Sequence, residues 1–143
     1  MMKEISISSK ERYQLIDITG EIENLVVESG VREGIVFVFA PHSTAGILLT
    51  ENEENLKEDW LELFKKLVSG LNPEGEQAPY GAGFKHNLID DNADSHLLSG
   101  LLGQERVLLI ENGNLIRGTW QQIFLAEFDG PRRRKVIVKI LKG

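Results

Sequence analysis

Cysteine is absent from this chain of 143 residues. That excludes disulfides, thiolate nucleophiles and cysteine-based zinc sites. No apolar run approaches the roughly 20 residues that span a bilayer, so no membrane partner is expected. The first residues, Met1-Met2-Lys3-Glu4-Ile5, carry no apolar stretch of the kind a secretory signal needs. A cytoplasmic location is the expectation. No GxGxxG or P-loop pattern occurs, which removes the common phosphate-cradling glycine loops. An overall positive charge is missing too, because the formal net charge is −6. A general nucleic-acid binder is usually basic, so nucleic acid is not an expected partner.

What remains is the composition of one ordinary globular domain spanning residues 1–143. Hydrophobic residues make up 41% and charged residues 27%, and the length suffices to bury a core. Histidine is sparse and placed in the middle third. The three are His42 in Pro41-His42-Ser43-Thr44, His86 in Phe84-Lys85-His86-Asn87, and His96 in Asp94-Ser95-His96. Histidine is the side chain most used for metal ligation and for proton transfer near neutral pH. On residues alone, scattered histidines fit ordinary surface positions better than a shared site, and no local spacing such as HExxH ties these together. Charge is uneven. Glu51 to Asp59 is acidic, and Arg132-Arg133-Arg134-Lys135 begins a basic C-terminal segment. Each run alone reads as a solvated face.

Periodicity predicts the elements. Lys3 to Ser8 alternates as a half-buried strand, with Tyr13 to Ile16 as its hairpin partner. Ile18, Ile22, Leu25 and Val26 follow helical spacing, with Asp17 or Thr19 as cap and Gly30 as stop. Gly34 to Ala40 is a central strand, and Ala45 to Leu49 another. Thr50 and Glu53 fit a capping box for a helix whose apolar face is Leu56, Trp60, Leu63, Phe64 and Leu67, ending at Gly70. Asn52 and Asp59 fall on nearly the same azimuth as that face. Leu71 to Asp91 is a long loop, and Asn92 caps a short helix to Leu102. Arg106 to Ile110 is a strand, and Asn112-Gly113 is a type I′ turn signal. Thr119 to Phe128 is a long strand that Asp129-Gly130-Pro131 turns back into Arg132 to Leu141. Alternation puts Arg132 and Arg134 on one side, and Trp120 is expected in the core. About eight strands and three helices, mostly hairpin-linked, predict an α+β fold of antiparallel sheets in a two-layer, sandwich-like arrangement.

Several segments taken in order resemble one family, the YjbQ-like proteins. They are His42-Ser43-Thr44-Ala45, Glu51-Asn52 with Asp59 downstream, Asn92-Ala93-Asp94-Ser95-His96-Leu97 with Leu102-Gly103, Gly118-Thr119-Trp120-Gln121, and Glu127-Phe128-Asp129-Gly130-Pro131-Arg132. The resemblance covers nearly the whole chain. It implies a compact α+β domain that assembles as a homotrimer. It also implies a divalent cation, zinc or another such as magnesium, held by His42, His86 and His96. The activity associated with the family is secondary thiamine-phosphate synthesis, joining a pyrimidine diphosphate to a thiazole phosphate. Glu51, Asp59 and Glu127 are then the catalytic candidates. Ser43, Thr44, Asn52, Thr119, Gln121, Arg132 and Arg134 are candidates for binding a phosphorylated substrate. Relatives often carry Tyr-x-His where this chain has Phe84-Lys85-His86. A hydroxyl is missing there, and Tyr80 stands out of register.

Three imidazoles around zinc with an open fourth position would make a Lewis-acidic site, with Asp91, Asp94 or Glu51 orienting the rings. Planar guanidinium forks at Arg132 and Arg134 match phosphate oxygens. The alternatives from the same residues are a metal-dependent hydrolase of a phosphorylated or cyclic metabolite, with Glu51 or Asp59 as base, and a non-catalytic oligomer that binds a metal or small ligand.

Overall fold

The computed structural model describes residues 1–69 and 83–143. Among them are eight strands, three α-helices and one 3-10 turn. In chain order these are β1 (Met2–Ser8), β2 (Gln14–Asp17), α1 (Thr19–Ser29), β3 (Gly34–Phe39), β4 (Ala45–Thr50), α2 (Glu54–Val68), the 3-10 turn (Lys85–Leu88), α3 (Ala93–Leu102), β5 (Glu105–Glu111), β6 (Asn114–Ile116), β7 (Gln122–Glu127) and β8 (Arg133–Lys142). The expected α+β architecture of antiparallel sheets is what the chain adopts. A five-stranded sheet runs β1-β8-β3-β5-β6 and a three-stranded sheet runs β2-β7-β4.

The small sheet is the middle layer. Ile47, Ile123 and Leu125 on one of its faces pack with Val36, Val38, Val136, Val138 and Ile140 of the large sheet. Leu48, Phe124, Ala126 and Phe128 on the other face pack with Phe64 and Val68 of α2 and Leu98 of α3. Covering both faces explains why β7 is buried from Ile123 through Glu127 and reads as a continuous apolar run instead of an alternating one.

Several local expectations are corrected. Tyr13 to Ile16 does not form a hairpin with β1. Strand β2 pairs with β7, and β1 pairs with β8. The long strand from Thr119 is shorter. Gly118 to Gln121 closes instead as a turn, in which Gln121 N–H donates to the Gly118 carbonyl at 3.0 Å and Gly118 N–H to the Gln121 side chain at 2.7 Å. Trp120 is 70% exposed on that turn and is not core. Strands β7 and β8 are not a hairpin, because Asp129-Gly130-Pro131 carries the chain from one sheet to the other. A Cβ on Gly130 would collide with the Glu11 carbonyl and the Ser9 hydroxyl, so this crossing needs glycine.

The cap of α2 is Glu53, whose carboxylate accepts from Leu56 N–H at 2.6 Å. Thr50 ends β4 instead, and its hydroxyl accepts from Trp60 Nε1 at 2.9 Å. The apolar face of α2 is also rotated from the expected one. Phe64 and Val68 are buried, whereas Leu63 and Leu67 are exposed. Gly70, Tyr80 and most of the expected loop lie outside the described residues. The Asn112-Gly113 turn forms as expected, with φ of 53° and 81°.

Candidate functional site

Where β3 ends, Pro41 leads into the segment that enters β4. Close by, the crossing from β7 to β8 and the first turn of α3 converge on the same end of the small sheet. The result is a polar cleft of about 390 Å³ lined by Pro41, His42, Ser43, Thr44, Asn92, His96, Asp129, Arg132 and Arg134. The helix that carries His96 is fastened there. Ser95 donates to the Phe128 carbonyl at 2.5 Å and Ser99 to the Ala45 carbonyl at 2.6 Å. Asp94 is fully buried at the start of α3. It accepts from Arg12 at 2.9 Å and from the Tyr13 hydroxyl at 2.5 Å. It thus anchors the helix to the segment that enters β2.

The two neighbouring arginines have different surroundings. Arg134 is 4% exposed. Its guanidinium donates through Nε and Nη2 to Glu127 and through Nη2 to the Thr44 hydroxyl at 2.7 Å. Both Glu127 oxygens are taken, one also by Ser9 Oγ at 2.8 Å and the other by Asp129 N–H at 2.9 Å. Glu127, Arg134 and Thr44 therefore form a structural floor. Arg132 has a side chain 52% exposed. It is steadied by the Asp129 carboxylate at 3.0 Å and the Asp129 carbonyl at 2.8 Å, with donors left over for an anion.

His42 Nε2 sits 3.0 Å from the backbone nitrogen of Lys135. It also sits 3.1 Å from the Lys135 carbonyl oxygen, so the same nitrogen can accept from the amide N–H or donate to the carbonyl, and the contact fits either neutral tautomer. Partial burial, and then the Arg134 charge, hold the His42 pKa below its ordinary 6.5, because both disfavour a second positive charge. His86 and His96 pack edge to face with ring centres 4.9 Å apart. His86 Nε2 lies 3.0 Å from the Asn92 carbonyl oxygen.

The remaining sequence candidates lie elsewhere. Glu51, Asn52 and Asp59 are exposed and do not line the cleft. Asn52 donates to Asp17 at 2.9 Å. Thr119 and Gln121 sit on the exposed turn before β7. The register of β4 on β7 pairs Ala45 with Glu127 at the cleft end and Thr50 with Gln122 at the far end. The two groups are therefore separated by the length of the sheet, about 17 Å at ~3.4 Å per residue. Asn92 and Asp129 are site residues that sequence reading did not assign. The only signal for them was membership in the motifs carrying His96 and Arg132.

The cation that the family resemblance implies can be weighed against these donors. Zinc takes imidazole nitrogens readily. The His86 and His96 rings lie side by side, and His42 keeps a lone pair on Nδ1 when its Nε2 donates to the Lys135 carbonyl. Among the described residues no group of three His, Asp or Glu is arranged to hold a metal ion. The rings as placed do not form a three-imidazole cage.

A two-sheet α+β domain with a histidine- and arginine-lined cleft defines the class. The chain belongs to the family described as "UPF0047 protein YjbQ-like", whose sequence profile matches residues 3–143. A UPF0047 protein of Archaeoglobus fulgidus is 46% identical over 96% of this chain and 99% of its own. YugU of Bacillus subtilis is 34% identical over 99% of both. A YbjQ-like protein of unknown function from Sulfolobus solfataricus has a similar solved structure. Its TM-score is 0.89 at 42% identity, covering 100% of this chain and 97% of that one.

Proposed function

We propose that the cleft binds a phosphorylated small molecule and that the chain supports transfer chemistry of the thiamine-phosphate synthase kind. The observation that carries this reading is the meeting of the His42 ring, the free donors of Arg132 and the exposed Ser43 hydroxyl at one polar cleft. Donors held ahead of binding favour an anion and strengthen as charge develops on it. In the transfer, the thiazole nitrogen attacks the methylene carbon of the pyrimidine. A C–N bond forms, the C–O bond to the diphosphate breaks, and pyrophosphate leaves with the bonding electrons. Arg132 would neutralise charge on that leaving group, with the His42 ring beside it. The family resemblance supplies the identity of the two precursors. A divalent cation, if held by His86 and His96, would add a further positive charge beside the leaving group.

The partner in assembly is proposed to be further copies of the same chain, as a homotrimer. Support comes from the outer face of the large sheet. Ile35, Phe37, Phe39, Val107, Leu109, Ile116, Ile137 and Leu141 share that face by strand alternation and register. Leu109 is 60% exposed and Val107 51%. Lys139 opposite Phe37 and Glu105 opposite Phe39 border it on the same face, and the exposed apolar patch around Leu109 fits an interaction surface.

The deciding experiment incubates purified protein with both precursors and measures thiamine phosphate and pyrophosphate. Turnover that disappears in His42→Ala and Arg132→Ala supports the reading. Absence of turnover together with absence of pyrophosphate binding by calorimetry overturns it. Elemental mass spectrometry of tag-free protein addresses the cation. Zinc lost in His86→Ala and His96→Ala but kept in His42→Ala fits two imidazole ligands. Loss in all three would restore the cage. A metal-dependent hydrolase with Glu51 or Asp59 as base is disfavoured, because neither lines the cleft.

A further inference from the structure

We infer that Asn92 and Asp129 are positioning residues that hold His86 in one tautomer. Beside the cleft the ring then has Nε2 fixed as donor and Nδ1 fixed as acceptor. The biological use of this asymmetry rests on the cleft being the functional site, but the structural inference has its own observations.

An ionised carboxylate accepts hydrogen bonds and donates none. The Asp129 carboxylate takes Arg132 Nη2–H at 3.0 Å and Asn92 Nδ2–H at 3.0 Å. Its position is fixed by backbone, because Asp129 N–H is held by Glu127 at 2.9 Å. With its nitrogen committed to Asp129, the Asn92 amide presents Oδ1 to His86 Nε2, 3.0 Å away. An amide oxygen can only accept, so Nε2 carries the proton and Nδ1 keeps the lone pair.

Asn92 stands at the N-cap of α3, yet its side chain makes no capping bond. Asparagine at this position ordinarily accepts from an amide of the first turn. Here the side chain is spent between Asp129 and His86 instead. It is also buried at 6% exposure, so water competes little for those bonds.

His42 has no such anchor. Its Nε2 lies 3.0 Å from the Lys135 nitrogen and 3.1 Å from the Lys135 carbonyl oxygen, a contact that either tautomer satisfies. His86 can take a proton through Nδ1, or offer that nitrogen to a cation, and it keeps that role while its anchor holds.

The three histidines make the test tractable. Nitrogen-15 histidine labelling, with chelator present and at a pH above ring titration, gives three sets of ring signals, assigned from the single His→Ala variants. The expected result is His86 entirely as the Nε2–H tautomer. In Asn92→Ala the His86 signals move to a tautomer mixture while those of His42 stay in place. Asp129→Asn, which retains an acceptor for Asn92, keeps His86 as Nε2–H. A tautomer mixture at His86 in the wild type, or a pure Nε2–H form persisting in Asn92→Ala, overturns the inference. If Asn92→Ala does not fold, Asn92→Ser removes the same reach and is read the same way. No substrate enters these spectra. Failure of pyrophosphate binding would thus overturn the proposed function and leave the tautomers standing, and a tautomer failure would leave anion binding standing.

Discussion

Arg134 and Glu127 meet as a buried two-point ion pair, with Nε 2.8 Å from one carboxylate oxygen and Nη2 2.5 Å from the other. Their side chains are 5% and 0% exposed. Removing one partner strands the other charge in the interior, which costs about 3–5 kcal/mol. Glu127→Ala is therefore expected to lower unfolding stability by roughly that amount, measured by urea denaturation. The double variant Glu127→Leu with Arg134→Leu should be less destabilised than the two single changes added together. A stable, folded Glu127→Ala protein that merely loses turnover would return Glu127 to a catalytic role.

Arg132 is next to Arg134 in alternation but differs in what it can do. Its guanidinium is half exposed and keeps donors beyond its bonds to Asp129. Arg132→Ala should weaken pyrophosphate binding about tenfold, the worth of one charge-assisted hydrogen bond of ~1.5 kcal/mol. Glu51→Ala and Asp59→Ala should leave that affinity unchanged, because these residues are exposed and away from the cleft. Calorimetric titration with pyrophosphate distinguishes the two classes.

His42 gives a pH dependence whose sign follows from its surroundings. Burial and the nearby Arg134 charge lower its folded-state pKa from 6.5. Above that value the ring is neutral in both folded and unfolded chains, and it contributes no slope. As pH falls through 6.5 the unfolded chain takes up a proton that the folded chain refuses. Stability is then lost progressively, down to the folded pKa. The His42 ring protons should titrate with a midpoint below that of an unfolded histidine peptide, and His42→Gln should flatten the acid slope of the urea midpoint. A midpoint above 6.5 would contradict the burial of the ring and its closeness to Arg134.

Much of this was legible before any coordinates. The elements that periodicity marks strongly came out as read: β3 as a central strand, α1 stopping at Gly30 with φ of 69°, and the Asn112-Gly113 turn. Pairing was not legible, because β2 and β7 are joined by contacts across more than 100 residues that no local pattern encodes. The end of the small sheet at Thr119 was misread because polar and apolar residues keep alternating through a turn held by the Gln121 side chain. Within the site, His42, Ser43, Thr44, His96, Arg132 and Arg134 do share one cleft, whereas His86 touches it through His96 and Asn92. Sequence could not separate Arg132 from Arg134, since the difference is a buried glutamate from another strand. Nor could it see Asn92 turning away from its capping role, because that requires Asp129 to be placed by the Glu127 carboxylate.

The outer face of the large sheet carries the last prediction. Leu109 lies opposite Ile35 on β3 and Ile116 on β6, so it is central in an apolar surface that nothing within the described chain covers. A charged side chain there would be well hydrated in a monomer and desolvated in an assembly. Leu109→Lys should therefore leave the fold intact and dissociate the oligomer. Sedimentation velocity of the wild type is expected to give a species of three chains, and the variant one chain, with circular dichroism unchanged. The interior neighbour Leu108 is 7% exposed, so Leu108→Lys should unfold the domain. A monomeric wild type would remove the homotrimer from the proposal. An unchanged trimer in Leu109→Lys would place the contact on another surface.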